Sequence, residues 1–301
     1  MGQDYTKVFR LNSQHPEAIR SRRRRGEVNA RYVTTPDPDH RAFFPVEIPD
    51  GIVLIGSDCH YWPGEPSTAH RAFVEFARHL YPHGIILNGD VIDGSRISRW
   101  PAGAWEDAAA RPLLLDELAT AQSRLREIYD VSPTDCFFGW TMGNHDARFE
   151  TYLVGAAPEA VGIHGTRLKD HFPDWEPAWT ILINPNTDDM VEVTHRYKGG
   201  EYATRNNTIK SGVHMVTGHD HQLGVVAYSD RRGTRWGINS GTLAAPYGPQ
   251  FVNYTEASVC DWRSGFVVLT FVGGRLLWPE VAFVLDERAG LVSFRGEVLE
   301  V

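Results

Sequence analysis

Ten side chains could do chemistry together in this 301-residue chain, and they come in five groups. In order these are Ser57-Asp58-Cys59-His60, Gly89-Asp90-Val91-Ile92-Asp93, Gly143-Asn144-His145-Asp146, the single His195, and Gly218-His219-Asp220-His221. Asp58, His60, Asp90, Asn144, His195, His219 and His221 offer carboxylate oxygens, imidazole nitrogens and an amide oxygen. That is more than one tetrahedral ion needs, and it suits two divalent ions sharing a bridging carboxylate. Mn, Fe, Zn, Co and Ni all accept such donors, and the donor types do not choose among them. The missing thiolates argue against a structural zinc site. Gly143-Asn144-His145-Asp146 joins a ligand, a proton donor and a group able to hold the donor in place. Each group alone is weak evidence, since a polar turn before a helix has the same composition. The ordered series is what carries the argument.

Each group follows an apolar run. Residues 52–55, 85–87 and 136–140 read as buried strands delivering Asp58, Asp90 and Asn144 at their carboxyl ends. Helices are expected from Ser67 or Thr68 to Leu80, over 112–129, over 148–153 and around 158–171. This alternation predicts βαβ units and a largely parallel sheet, with the site beyond the strand ends. Asp58 and His60, two apart, are expected to project to one side, with Cys59 packed inward between them. The texture then changes. Strands at 179–183 and 190–193, about the turn signal Asn184-Pro185-Asn186, form a hairpin leading to His195. Residues 201–211 read as a helix and 213–216 as the strand before His219. A second hairpin joins 223–228 to 234–238, and strands are expected at 265–272, 275–285 and 291–298. The loops at 241–247 and 261–266 are candidates to border the cleft, or are plain strand connections. His164, His171 and His214 read as satisfied buried histidines.

Composition is that of a globular chain, 42% hydrophobic and 23% charged. No run approaches the roughly 20 apolar residues that cross a bilayer, and no secretory signal is visible. Three cysteines, an odd and sparse set, suggest a reducing compartment, with the cytoplasm as default. Residues 1–31 carry eight Lys/Arg against three Asp/Glu, so the net charge of −8 leaves −13 on residues 32–301. This arm either contacts nucleic acid or is a solvated leader. Residues 1–45 read as arm and linker, and 46–301 as the catalytic domain, with the part after about 223 completing a second sheet. Arg96, Arg99 and Arg148 stand near motif loops and are candidates to bind substrate phosphate, with surface charge as the alternative. Trp62 is placed either to stack on a leaving group or to pack.

The five groups, over about residues 52–222, resemble the motifs of the calcineurin-like metallophosphoesterases in the same order. The text after the second and third, Ile97-Ser98-Arg99-Trp100 and Ala147-Arg148-Phe149-Glu150, is similar to phage and prophage versions. The resemblance implies a four-layer α/β/β/α sandwich with two mixed sheets. It implies one metal held by Asp58, His60, Asp90 and His221, and another by Asp90, Asn144, His195 and His219. Asp93 would stand behind the ligands, with His145 as general acid and Asp146 orienting it. The expected function is hydrolysis of phosphomonoesters or phosphodiesters. The alternatives are a nuclease using the basic arm and a binding module without turnover. The substrate and the oligomeric state are left open.

Overall fold

The computed structural model describes residues 41–99, 111–252 and 259–301. The basic arm of residues 1–31 and the linker up to residue 40 lie outside the described residues. The chain enters the fold at β1, Arg41–Val46, a strand that the reading of 1–45 as arm and linker did not anticipate. It pairs in parallel with β5, Glu176–Ile183.

β2 (Gly51–Gly56), β3 (Gly84–Asn88) and β4 (Phe137–Thr141) are parallel neighbours. Their apolar runs are continuous because both faces are covered. Along β2, Ile52 and Leu54 face one core while Val53 and Ile55 face another; on β3, Ile85 and Leu87 oppose Ile86 in the same way. The first core is roofed by α1 (Thr68–Leu80) and α2 (Leu114–Val131). The Ser67 hydroxyl caps α1 by accepting from the amide of His70, and Tyr81 ends it in a left-handed conformation. Its buried face carries Phe73, Phe76, Ala77 and Leu80.

The second core lies between two sheets, and β5 belongs to both. Its first residues pair with β4, through Glu176 to Ala178. Its later residues run between β1 and the antiparallel β6 (Val191–Thr194). From β6 the second sheet continues through β7 (His214–Thr217), then β9 (Gly233–Ser240), to β8 (Leu223–Asp230). Ile181, Val193, Val216 and Ile238 from this sheet meet Val53, Ile55 and Ile86 across the layer. The fourth layer is α5 (Ala203–Ser211), packed on β7, β8 and β9. The architecture is therefore the expected α/β/β/α sandwich, with its two sheets hydrogen-bonded into one path through the shared strand.

The first sheet is completed antiparallel to β2 by β10 (Gly265–Val272), followed outward by β12 (Glu280–Asp286), β13 (Leu291–Phe294) and β14 (Glu297–Glu300). The single strand expected at 291–298 is instead a tight hairpin, turned at Arg295 and Gly296, both with positive φ. The strand expected at 275–285 is split at Pro279 into the two-residue β11 (Arg275–Leu276) and β12, since proline has no amide to give a ladder. After the third motif α3 runs over Asp146–Ala156. The helix expected around 158–171 is reduced to a 3-10 turn, Pro158–Ala160, and one turn of α4, Leu168–His171. Glycines 162 and 165, both with positive φ, interrupt it. Among the described residues no helix is long and apolar enough to cross a membrane.

Candidate metal centre

The five groups meet at the carboxyl ends of β2, β3, β4, β6 and β7, at one edge of the sandwich. Strand alternation does not aim them. Asp58 and His60 lie beyond the end of β2, with φ of 49° and 39°. Asp90, His219 and His221 are also left-handed, at 52°, 71° and 55°. Among the described residues, five of the eight non-glycine residues with positive φ are thus candidate ligands. Such strain persists only where surrounding contacts impose it, and it gathers at functional sites. Cys59 is buried in the helix-covered core, as expected of the residue between two ligands.

Two motif glycines allow the closeness. A Cβ on Gly143 would lie 2.1 Å from Asp90 Oδ1, and one on Gly89 would lie 2.4 Å from the His195 ring.

The donor atoms form overlapping groups, each within 4.8 Å: Asp58, His60 and His221; His60, Asp90 and His145; Asp90, His195 and His219. Asp90 belongs to two of them. Its Oδ2 stands 3.2 Å from His195 Nε2 and 3.8 Å from His60 Nε2, while Asp58 Oδ1 stands 3.1 Å from His221 Nε2. His60 Nε2, Asn144 Oδ1, His195 Nε2 and His221 Nδ1 are buried and have no hydrogen-bond partner in the protein. Buried polar atoms are normally satisfied, and His60 Nε2 and His195 Nε2 both face the Asp90 carboxylate, so these orphans fit a cation site.

The remaining ring nitrogens are held. His60 Nδ1 lies 3.0 Å from Asp93 Oδ1, and His195 Nδ1 lies 2.7 Å from the Asn88 carbonyl oxygen. Each contact assigns a proton to Nδ1 and turns Nε2 toward the carboxylates, the orientation that metal-binding histidines use. Burial lowers the His195 pKa, but Asp90 and Asp58 outweigh it and raise it to about 10, a proton that a cation at Nε2 would displace. Asn88 was not singled out in the sequence, because a backbone carbonyl has no residue signature. Asp58 accepts the amide of His219 and the hydroxyl of Ser57. Burial pushes the Asp58 and Asp90 carboxyls up, but the neighbouring histidines overbalance it and leave both below the ordinary value. His60 and His219 are lowered, first by burial and then by neighbouring histidines, which keeps them neutral.

The structure corrects the role expected of Asp146. Its carboxylate accepts the amides of Asp90, Val91 and Gly143, each at 2.9 Å, and the Trp140 indole N–H at 3.1 Å. It braces the second motif against the third and so holds the strained Asp90 backbone. The His145 ring turns to Asp93 instead, with Nδ1 2.8 Å from its carbonyl oxygen and 3.3 Å from Oδ1. Burial pulls the His145 ring down, and Asp90 and Asp93 more than offset it, leaving its pKa above the ordinary value.

The arginines separate. Arg148 donates to His145 Nε2 and to the Asp93 carbonyl oxygen, both at 3.0 Å. Arg96 turns away and donates to the carbonyls of Arg111 and Pro112. Arg99 is exposed. Glu117 on α2 is fully buried and was missed; its carboxylate accepts both amides of Gly94 and Ser95 and the Ser95 hydroxyl. A glutamate within an amphipathic helix pattern gives no sign of that role.

Of the two loops considered for the cleft border, 241–247 reaches one: a cleft of about 380 Å³ beside His60 is lined by Trp62, Leu243, Ala244 and Gln250. The 261–266 loop reaches a candidate ligand instead, with Trp262 tilted against the His221 ring at 4.3 Å between centroids. Phe251, missed in the sequence, packs edge-on against His60 and His221 at 5.0 and 5.3 Å. His214 is buried, as expected, facing Asp189 and the amide of Trp236. His171 bonds the Gly165 carbonyl. The expectation of burial fails for His164, whose side chain is 89% exposed, since it sits in a turn with little to cover it.

No protein-family profile matches the chain. It is 26% identical over 247 residues to the Gene 54 protein of Mycobacterium phage L5. It is 27% identical over 247 residues to that of phage D29. Each alignment covers 77% of this chain and 92% of the relative. Both are phage proteins, the direction in which the text flanking the second and third motifs pointed. Among solved structures, Vps29 from Entamoeba histolytica in complex with Zn2+ is 14% identical with a TM-score of 0.42, covering 83% of this chain and 98% of that one. A dimetal phosphatase from Danio rerio is 10% identical at a TM-score of 0.36, covering 84% and 98%. The Pseudomonas putida nuclease MPE is 14% identical at 0.30, covering 75% and 86%. At these scores the chemistry of the site rests on its own residues.

Proposed function

We propose that this chain is a phosphoric ester hydrolase that works with two divalent metal ions and cleaves phosphomonoesters, phosphodiesters or both. The observation that carries the reading is the overlap of the donor groups around Asp58 and Asp90, with the buried His60 Nε2, Asn144 Oδ1, His195 Nε2 and His221 Nδ1 lacking a hydrogen-bond partner in the protein. Asp58, His60, Asp90 and His221 would hold one ion, and Asp90, Asn144, His195 and His219 the other. Such ions, when bound, acidify water and neutralise charge on phosphoryl oxygens.

The protein's own part is to hold and to protonate. His145 keeps its Nδ1 proton on Asp93 and presents Nε2 at the rim of the ligand cluster, 4.0 Å from Asp90 Oδ2. Once Arg148 leaves Nε2 for a phosphoryl oxygen, that nitrogen takes up a proton, favoured by Asp90 and Asp93, and gives it to the leaving oxygen. Arg148, already at that nitrogen, is within reach of a phosphoryl oxygen bound there and binds it. Asp93 orients a ligand, His60, and the acid, His145, at once. Three cysteines, an odd and sparse set with Cys59 and Cys136 buried, suit a reducing compartment, and we propose the cytoplasm.

The test is a metal-reconstituted screen of an aryl phosphomonoester, an aryl phosphodiester, cyclic nucleotides and DNA, with Mn, Zn, Fe, Co and Ni in turn. Turnover of at least one ester is expected, abolished by chelation. His145→Ala is expected to slow esters of poor leaving groups most while keeping the metal content. Loss of bound metal in that variant would remove His145 from the acid role, and no turnover with any metal would sink the reading.

A further inference from the structure

The loop that follows His195 is basic and aromatic in a body that is acidic. Residues 196–210 hold Arg196, Lys198, Arg205 and Lys210 against the single acid Glu201, whereas residues 32–301 as a whole carry −13. Tyr197 and Tyr202 are 45% and 65% exposed in the same stretch. Two exposed tyrosines in one stretch with four cations supply the flat rings and positive charges that single-stranded nucleic-acid sites combine.

This loop is built into the fold. The buried Asn207 on α5 donates to the Lys198 carbonyl at 2.9 Å. At Gly199 the backbone passes the turn between the ligands His219 and His221, where an added Cβ would lie 3.2 Å from Asp220 Oδ1. The cations therefore stand at the edge of the candidate metal centre. Lys210 stands beside Lys198 and lowers its ammonium, through a side-chain hydrogen bond first and its charge second, and an anion bound between the two would relieve that repulsion. Arg205 lies over the Tyr228 ring of the β8–β9 hairpin, whose own Arg235 is paired with Asp230.

We propose that the loop after His195 and the adjoining face of α5 bind single-stranded nucleic acid. Lys198, Lys210 and Arg205 take backbone phosphates and Tyr197 and Tyr202 stack on unpaired bases. An acidic protein segment would use the cations but gain little from flat exposed rings, and a duplex keeps its bases stacked on one another. The inference rests on the phosphoester reading only for what happens to the strand once it reaches the metals. Hydrolysis of an aryl phosphodiester tests that reading separately.

The experiment measures binding of a fluorescently labelled thymidine 20-mer to the full-length chain in chelator, across a salt series. The Lys198→Ala/Lys210→Ala variant is expected to bind roughly tenfold more weakly, with a log–log salt slope shallower by about 1.4, at about 0.7 per lost phosphate contact. Tyr197→Ala and Tyr202→Ala are each expected to weaken binding about fivefold or more without changing the slope. A full-length variant with Arg22, Arg23, Arg24 and Arg25 changed to Ala is expected to keep this dependence on Lys198 and Lys210. The proposal is overturned if the wild-type chain does not bind, or if the lysine variant binds with wild-type affinity and slope while the arm variant takes the whole loss. Competition by polyglutamate as strong as by unlabelled oligonucleotide would also overturn it. Unchanged circular-dichroism spectra and melting temperatures in the lysine and tyrosine variants are the control for folding.

Discussion

Asp93 and His145 meet twice: His145 Nδ1 lies 2.8 Å from the Asp93 carbonyl oxygen and 3.3 Å from its carboxylate Oδ1. The same Oδ1 lies 3.0 Å from His60 Nδ1, so one carboxylate holds the proposed acid and a proposed ligand.

Asp93→Asn is therefore expected to lower turnover roughly 10- to 100-fold, most for esters with poor leaving groups, and to weaken metal binding as well. Asp146→Asn acts elsewhere. Its carboxylate serves backbone amides and the Trp140 indole, so a lowered melting temperature is expected. Kinetics against a leaving-group series, read beside calorimetry, separate the two. Equal leaving-group sensitivity in wild type and Asp93→Asn would contradict the pairing.

Phe251 stands at only one half of the centre, edge-on to His60 and His221 and 1% exposed. Phe251→Leu is expected to weaken the ion held by Asp58, His60 and His221 about tenfold, the low end for groups that support metal ligands. The ion at His195 and His219 should stay. Titration with a competing chelator, with metal content measured at each step, would show one ion lost early. Two ions lost together would count against a selective role.

Glu117 puts a buried carboxylate against the Gly94 and Ser95 amides and the Ser95 hydroxyl, just after Asp93. Removing it strands buried donors, so Glu117→Ala is expected to cost about 2–4 kcal/mol in denaturant unfolding. Because the turn after Asp93 loses its anchor, turnover should fall too. A variant with wild-type stability would show that water replaces the carboxylate.

His70 supplies a pH test away from the metals. Its ring is buried between the Tyr61 hydroxyl at 3.0 Å and Glu127 Oε2 at 2.9 Å. Burial lowers its pKa below the ordinary value near 6.5; Glu127 opposes this, and Arg124 and Arg71 add to it. Unfolded chain then binds more protons than folded chain below about 6.5, so this contribution is complete above that pH and is lost as pH falls toward the folded value. His70→Gln should flatten the fall in melting temperature between pH 8 and about pH 5.5. An unchanged slope would mean that His70 does not titrate differently in the two states.

What the sequence determined by itself was the set of residue types and their order along strands. Apolar runs before Asp58, Asp90 and Asn144 must be buried on both faces, and the polar groups after them cannot enter a core, so they collect at the strand ends. That much needs only local pattern. The tertiary structure decided the rest, because those facts depend on which elements meet. The left-handed backbone at Asp58, His60 and Asp90 comes from contacts across motifs, not from the alternation that a strand would supply. Asp146 and Asp93 could not be told apart as partners of His145 until α3 was set against the β3 loop. Glu117, Phe251 and the Asn88 carbonyl act on the site from far along the chain or from the backbone, where residue identity carries no signal. β5 joins both sheets because its two ends pair with different neighbours, a choice that long-range packing makes.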